Sequence, residues 1–157
     1  MPAHVPWDAE TARAIIADRA GVPGALLPIL HALQEEFGYI HREAELLIAN
    51  ALNISRAEVH GVVTFYHDFR QQPAGRHVLK LCRAESCQAR GSDALAAQAE
   101  ARLRVEFGHT AAENGVTLEP VYCLGLCSVS PAAMFDGKVV ARLDERKLDK
   151  LLTEADR

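Results

Sequence analysis

The chain has 157 residues, 49% hydrophobic and 24% charged, with formal net charge -4, an ordinary globular composition that excludes intrinsic disorder and collagen-like repeats. Seventeen Lys and Arg against 21 Asp and Glu, with no long basic run, leave no electrostatic footprint for DNA or RNA, so no nucleic-acid partner is expected. The opening Met1-Pro2-Ala3-His4-Val5-Pro6-Trp7-Asp8 has no basic segment ahead of an apolar one, and no membrane-length apolar run occurs, so a soluble, cytoplasmic chain without direct membrane insertion is expected.

The first seventy or so residues read as helices. Asp8 can cap a helix to about Ala20 that buries Ala12, Ile15, Ile16 and the stem of Arg19, and Gly21-Val22-Pro23-Gly24 breaks it. A second helix runs from about Ala25 to Phe37, with Leu26, Ile29, Leu30, Leu33 and Phe37 at helical spacing and Gly38 as its stop. Pro28 fits the first turn, whose N-H groups lack intrahelical partners. The third, Glu43 to Leu52, stripes Ala44, Leu47, Ile48 and Ala51. The fourth opens with a capping box, Ser55-Arg56-Ala57-Glu58, ahead of Val59, Val62 and Val63. Phe65, Tyr66 and Phe69 at its end read as core packing or a hinge.

After the loop Gln71-Gln72-Pro73-Ala74-Gly75 the period changes. His77 to Cys82 alternates as a strand; Gly91-Ser92 opens a helix to about Phe107 with Leu95, Ala96, Ala99 and Leu103 inward; Asn114-Gly115 turns into a strand from Val116 to Tyr122. Ala132 to Phe135 and Lys138 to Leu143 flank Asp136-Gly137, a hairpin signal, and Asp144 caps a closing helix with Leu148, Leu151 and Leu152. The fold class is therefore α/β (α+β): an N-terminal helical bundle, residues 1–72, followed by a small strand-and-helix domain, residues 73–157.

All four cysteines fall in the second domain: Cys82 and Cys87, then Cys123 and Cys127. In a reducing compartment structural disulfides are rare, so metal ligation or redox chemistry is the better account. Each pair follows a strand, and two adjacent strands would bring four thiols to one end of a sheet. Tetrahedral sulfur ligation suits zinc or an iron-sulfur cluster. Zinc is usually pinched by more closely spaced cysteines, whereas two wider loops suit two bridged irons. Small residues, Ala84, Ser86, Gly125 and Ser128, would let backbone N-H groups approach the sulfurs, and Lys80 and Arg83 could offset the anionic centre unless they are only surface charges. Buried thiols used for packing and a zinc site remain the alternatives. A C-x-x-C redox dithiol is absent.

Other chemistry is thin. No G-x-G-x-x-G or Walker loop occurs, so no nucleotide or flavin site of those kinds is expected and no catalytic residue is assigned. The histidines, His60 and His67 included, read as surface or core residues.

Cys82-Arg83-Ala84-Glu85-Ser86-Cys87 and Cys123-Leu124-Gly125-Leu126-Cys127, preceded by Thr64-Phe65-Tyr66 and followed by Pro131, resemble the thioredoxin-like 2Fe-2S subunit family of the complex I NADH-dehydrogenase module, NAD-reducing hydrogenases and NAD-dependent formate dehydrogenases. Tyr66-His67-Asp68-Phe69 and the Arg-Ala-Glu-Ser loop with Gln88 are most similar to the gamma subunits of molybdenum-containing formate dehydrogenases. The resemblance implies a thioredoxin-like ferredoxin domain with one 2Fe-2S cluster on Cys82, Cys87, Cys123 and Cys127. It implies an electron-transfer role beside an FMN- and NAD-binding flavoprotein subunit and a large iron-sulfur and molybdenum catalytic subunit. The FMN, NAD and molybdenum cofactor would lie on those partners. Residues 1–72 are expected to act as an assembly region, because Leu27, Ile40, Ile54 and Phe65 lie outside a single apolar stripe.

Overall fold

The computed structural model describes residues 5–112 and 115–155 and divides into two compact units, Pro2–Pro73 and Ala74–Arg157. Met1 to His4 and the Asn114 half of the Asn114-Gly115 turn lie outside the described residues.

The first unit contains α1 (Ala9–Arg19), α2 (Leu26–Phe37), α3 (Arg42–Leu52) and α4 (Arg56–Phe65). Each begins and ends for a local reason. Asp8 is extended and its carboxylate accepts the Thr11 N-H at 2.7 Å. Gly38 stops α2 at φ 79° and Asn53 stops α3 at φ 52°, both left-handed conformations that these residue types tolerate. The Ser55 hydroxyl accepts the Glu58 N-H at 3.2 Å while the Glu58 carboxylate accepts the Ser55 N-H at 2.8 Å, which closes the capping box of α4. Phe37, Ile29, Leu30, Leu33, Ile48, Val59 and Val63 form the fully buried core, and Trp7 packs against Phe37 with ring centroids 4.9 Å apart.

Three expectations for this unit change. The α3 stripe rotates: Ala49 and Glu45 are buried, Leu47 is partly covered, and Ala51 is exposed. Glu45 goes inside because its carboxylate is satisfied there, by Arg56 at 3.0 Å and His60 at 2.8 Å. Ile40 is buried in this core, and Leu27 and Ile54 pack against it, so they need no outside cover. Phe65 and Tyr66, expected as packing or a hinge, are 72% and 44% exposed, whereas Phe69 is buried.

The second unit runs β1 (His77–Cys82), α5 (Glu85–Ala89), α6 (Ser92–Leu103), β2 (His109–Thr110), β3 (Val116–Val121), β4 (Ala132–Phe135), β5 (Lys138–Ala141) and α7 (Glu145–Ala155). Its sheet has the order β2-β3-β1-β4-β5. β1 and β3 are parallel, with Cys82 opposite Val121, and the other pairings are antiparallel. Leu79, Leu81, Val116, Leu118 and Ala133 of the sheet join Leu95, Ala99 and Leu103 of α6 and Leu148 and Leu152 of α7 in one apolar cluster.

Here α6 ends at Leu103, short of Phe107, because Arg104 turns left-handed at φ 52°. β3 stops at Val121 and leaves Tyr122 74% exposed, and β5 stops at Ala141 although Leu143 is still buried. Short α5 and β2 had too few residues to show a period. No helix among the described residues is long and apolar enough to cross a membrane.

Candidate iron-sulfur site

The parallel pairing of β1 and β3 brings the two cysteine segments to the same end of the sheet. The Arg83 N-H bonds the Val121 carbonyl at 2.8 Å, which holds the two strand exits side by side. From Cys82 the chain turns into α5, where the Cys87 and Gln88 N-H groups both bond the Ala84 carbonyl at 2.9 Å. Cys87 is thus held by a helical turn rather than a loop. On the other side Cys123 adopts φ 113° and Gly125 φ 73°, after which Cys127 opens a 3-10 turn to Val129. A non-glycine residue at such a φ is strained by about 1–3 kcal/mol and persists only where its surroundings fix it.

All four thiols are free. Cys82 and Cys87 are buried, each 3% exposed, whereas Cys123 and Cys127 are exposed. The Cys123 and Cys127 sulfurs are 3.9 Å apart. Val121, Leu124, Leu126 and Ala84 pack around Cys82, Cys87 and Ala132 and so form an apolar wall on the inner side.

Backbone amides aim at the sulfurs. The Gly125 N-H donates to Cys123 Sγ at 3.3 Å. Burial raises the Cys82 thiol, but donation from the amides of Ala84, Leu124 and Cys123 and from the Cys87 thiol outweighs it and holds Cys82 below the usual thiol range. Burial pushes the Cys87 thiol up, and its bond to Cys82 and the charges of Cys82 and Cys127 add to that. Cys127 is pushed up by its bond to Cys123 and then by the charge there. The thiols therefore sense one another across the two pairs, and deprotonating all four concentrates negative charge that a cationic group must offset.

The residues fit a two-iron cluster. The donor set is four soft thiols gathered as two pairs, with amide donors ready for anionic sulfur.

Of the other candidate site residues, Ala84 and Gly125 do offer N-H groups to sulfur. Ser86 acts through its hydroxyl, which the sequence did not reveal, and Ser128 is exposed. Lys80 pairs with Glu119 at 3.4 Å, and Arg83 pairs with Asp93 at 3.0 Å and lies 5.2 Å over the Phe107 ring. Both charges are thus already partnered. The amides of Leu124 and Ala132 were missed, because backbone donors carry no residue-type signal. His60 binds Glu45, and His67 lies exposed beyond α4.

A family described as thioredoxin-like 2Fe-2S ferredoxin matches residues 12–156. The chain is 34% identical over 143 residues to an NADH-quinone oxidoreductase component of Rhizobium meliloti (strain 1021), covering 91% of this chain and 83% of that protein. It is 28% identical over 131 residues to NADP-reducing hydrogenase subunit HndA of Solidesulfovibrio fructosivorans, covering 83% of this chain and 77% of that one. Among solved structures, an NAD+-reducing NiFe hydrogenase in the H2-reduced state superposes with TM-score 0.70 at 25% identity over 83% of this chain. This chain spans only 22% of that larger one.

Proposed function

Since the chain belongs to the thioredoxin-like 2Fe-2S ferredoxin family, we propose that Cys82, Cys87, Cys123 and Cys127 hold one 2Fe-2S cluster and that the protein is the electron-transfer subunit of an NAD-dependent formate dehydrogenase complex. The observation that carries the first part is the convergence of two thiol pairs at the exits of the neighbouring parallel strands β1 and β3, ringed by amide donors. When bound, such a cluster would supply one-electron acceptance and release, so that the two electrons a flavin exchanges as a hydride can be passed on one at a time.

The chain's own residues bind, shield and tune. The four thiolates are the ligands. Val121, Leu124 and Leu126 exclude water from the buried Cys82 and Cys87 side, and the amides of Ala84, Leu124 and Gly125 stabilise negative charge on sulfur. The exposed Cys123 and Cys127 side, with Tyr122 beside it, is the face through which electrons enter and leave.

Formate oxidation would take place on the large molybdenum subunit, and NAD+ reduction on the FMN-binding flavoprotein. The formate assignment rests on Tyr66 to Phe69 and on Arg83 to Ser86 with Gln88. The names of the relatives favour a second reading, the equivalent subunit of an NADH:quinone oxidoreductase or NAD-reducing hydrogenase. Residues 1–72 would be the assembly region. The exposed Phe65 and Tyr66, with ring centroids 5.1 Å apart, support that role.

Reduction of the purified full chain should give a spin-one-half signal, and the chain alone should oxidise neither formate nor NADH. Copurification from its native host should bring a molybdenum subunit; a quinone-reducing or nickel-containing complex in its place would select the second reading. A colourless, zinc-loaded chain would make it a scaffold module instead.

A further inference from the structure

Ser86 and Ser130 link the two cysteine segments through a chain of hydroxyls. Ser86 lies in α5, one residue before Cys87, and Ser130 follows the 3-10 turn opened by Cys127. Ser86 Oγ donates to the Cys127 carbonyl at 3.2 Å and lies 3.1 Å from Ser130 Oγ. A carbonyl offers no proton, so the single hydroxyl proton of Ser86 is committed to Cys127. The Ser130 hydroxyl must therefore donate to Ser86 Oγ. Ser130 is only 4% exposed, and its N-H also reaches the Cys127 carbonyl at 3.4 Å.

The strand exits are already joined by the bond from Arg83 to Val121, next to Cys82. Cys87 and Cys127 lie at the far ends of their segments, where that bond has little hold. The hydroxyl chain crosses from one segment to the other at just that place. On the reading that the four cysteines are the ligands, we propose that Ser86 and Ser130 are positioning residues that fix the spacing of Cys87 and Cys127 and so hold the thiolate cage closed around its cluster.

Removal of Ser86 breaks both links and leaves the buried Ser130 hydroxyl unpaired, whereas removal of Ser130 leaves the Ser86 bond to Cys127 in place. The two substitutions are therefore unequal. A hydrogen bond of this kind corresponds to roughly a fivefold to tenfold change in an equilibrium.

The test uses the full chain with Ser86→Ala, Ser130→Ala and Ser86→Thr. Loss of visible absorbance under an iron chelator should be roughly tenfold faster in Ser86→Ala, less affected in Ser130→Ala and restored in Ser86→Thr, and the g-values of the reduced signal should shift in Ser86→Ala alone. Equal release rates and an unchanged signal in Ser86→Ala would overturn the proposal. Amide exchange is measured on the same preparations: faster exchange at Val129 and Ser130 in Ser86→Ala supports the clasp, and unchanged exchange there contradicts it. Faster exchange in chains that contain no iron or sulfide would keep the clasp and overturn the ligand assignment alone.

Discussion

The Cys123 and Cys127 sulfurs stand 3.9 Å apart on the surface, whereas Cys82 and Cys87 are sealed in an apolar wall. The two pairs therefore respond differently to substitution. Cys123→Ser and Cys127→Ser should lose cluster retention while the fold persists. Cys82→Ser and Cys87→Ser should lose the cluster and also about 1–3 kcal/mol of stability, because a serine hydroxyl is buried less readily than a thiol. Iron content and urea midpoints separate the two classes.

Gly75 touches the backbone at Gly115. A Cβ at Gly75 would overlap the Gly115 carbonyl, and its N-H already bonds Thr117 Oγ1 at 2.7 Å. Backbone cannot swing aside as a long side chain can, so Gly75→Ala should destabilise the second unit by about 1–3 kcal/mol. An unchanged thermal midpoint would contradict this close backbone approach.

Much of this was legible beforehand, for reasons that differ by element. α4 could be read from its capping box because both partners are local in sequence. The same holds for the stop of α2 at Gly38 and for the Asp136-Gly137 hairpin. Which thiols come together followed from two strands that each run toward a cysteine pair. The burial of Glu45 was not legible, because its partners Arg56 and His60 come from the next helix. Nor was the bond from Ser86 to Cys127, which spans 41 residues. Tertiary partners of polar groups leave no periodic trace.

Glu45 yields a prediction of its own. It is 4% exposed, and Arg56→Met would leave its carboxylate facing His60 alone. The first unit should lose about 1–3 kcal/mol, and Glu45→Gln in the Arg56→Met background should recover part of it. Additive losses in the double variant would contradict the pairing.

Acid should weaken α4 through Glu58. The Ser55 N-H and hydroxyl hold the Glu58 carboxyl below its usual value, so the capping box contributes stability above the ordinary carboxylate range. That contribution is lost as pH falls through the lowered value. In Glu58→Gln this part of the acid dependence should disappear. Ser55→Ala should cost roughly 1 kcal/mol at neutral pH. Parallel pH profiles for wild type and Glu58→Gln would show that the bond does not form in solution.

Acid-labile sulfide, measured with iron and zinc on the full chain purified anaerobically from iron-replete cells, tests the central claim most directly. The account predicts about two irons and two sulfides per chain and no stoichiometric zinc. One zinc per chain with no sulfide would contradict it.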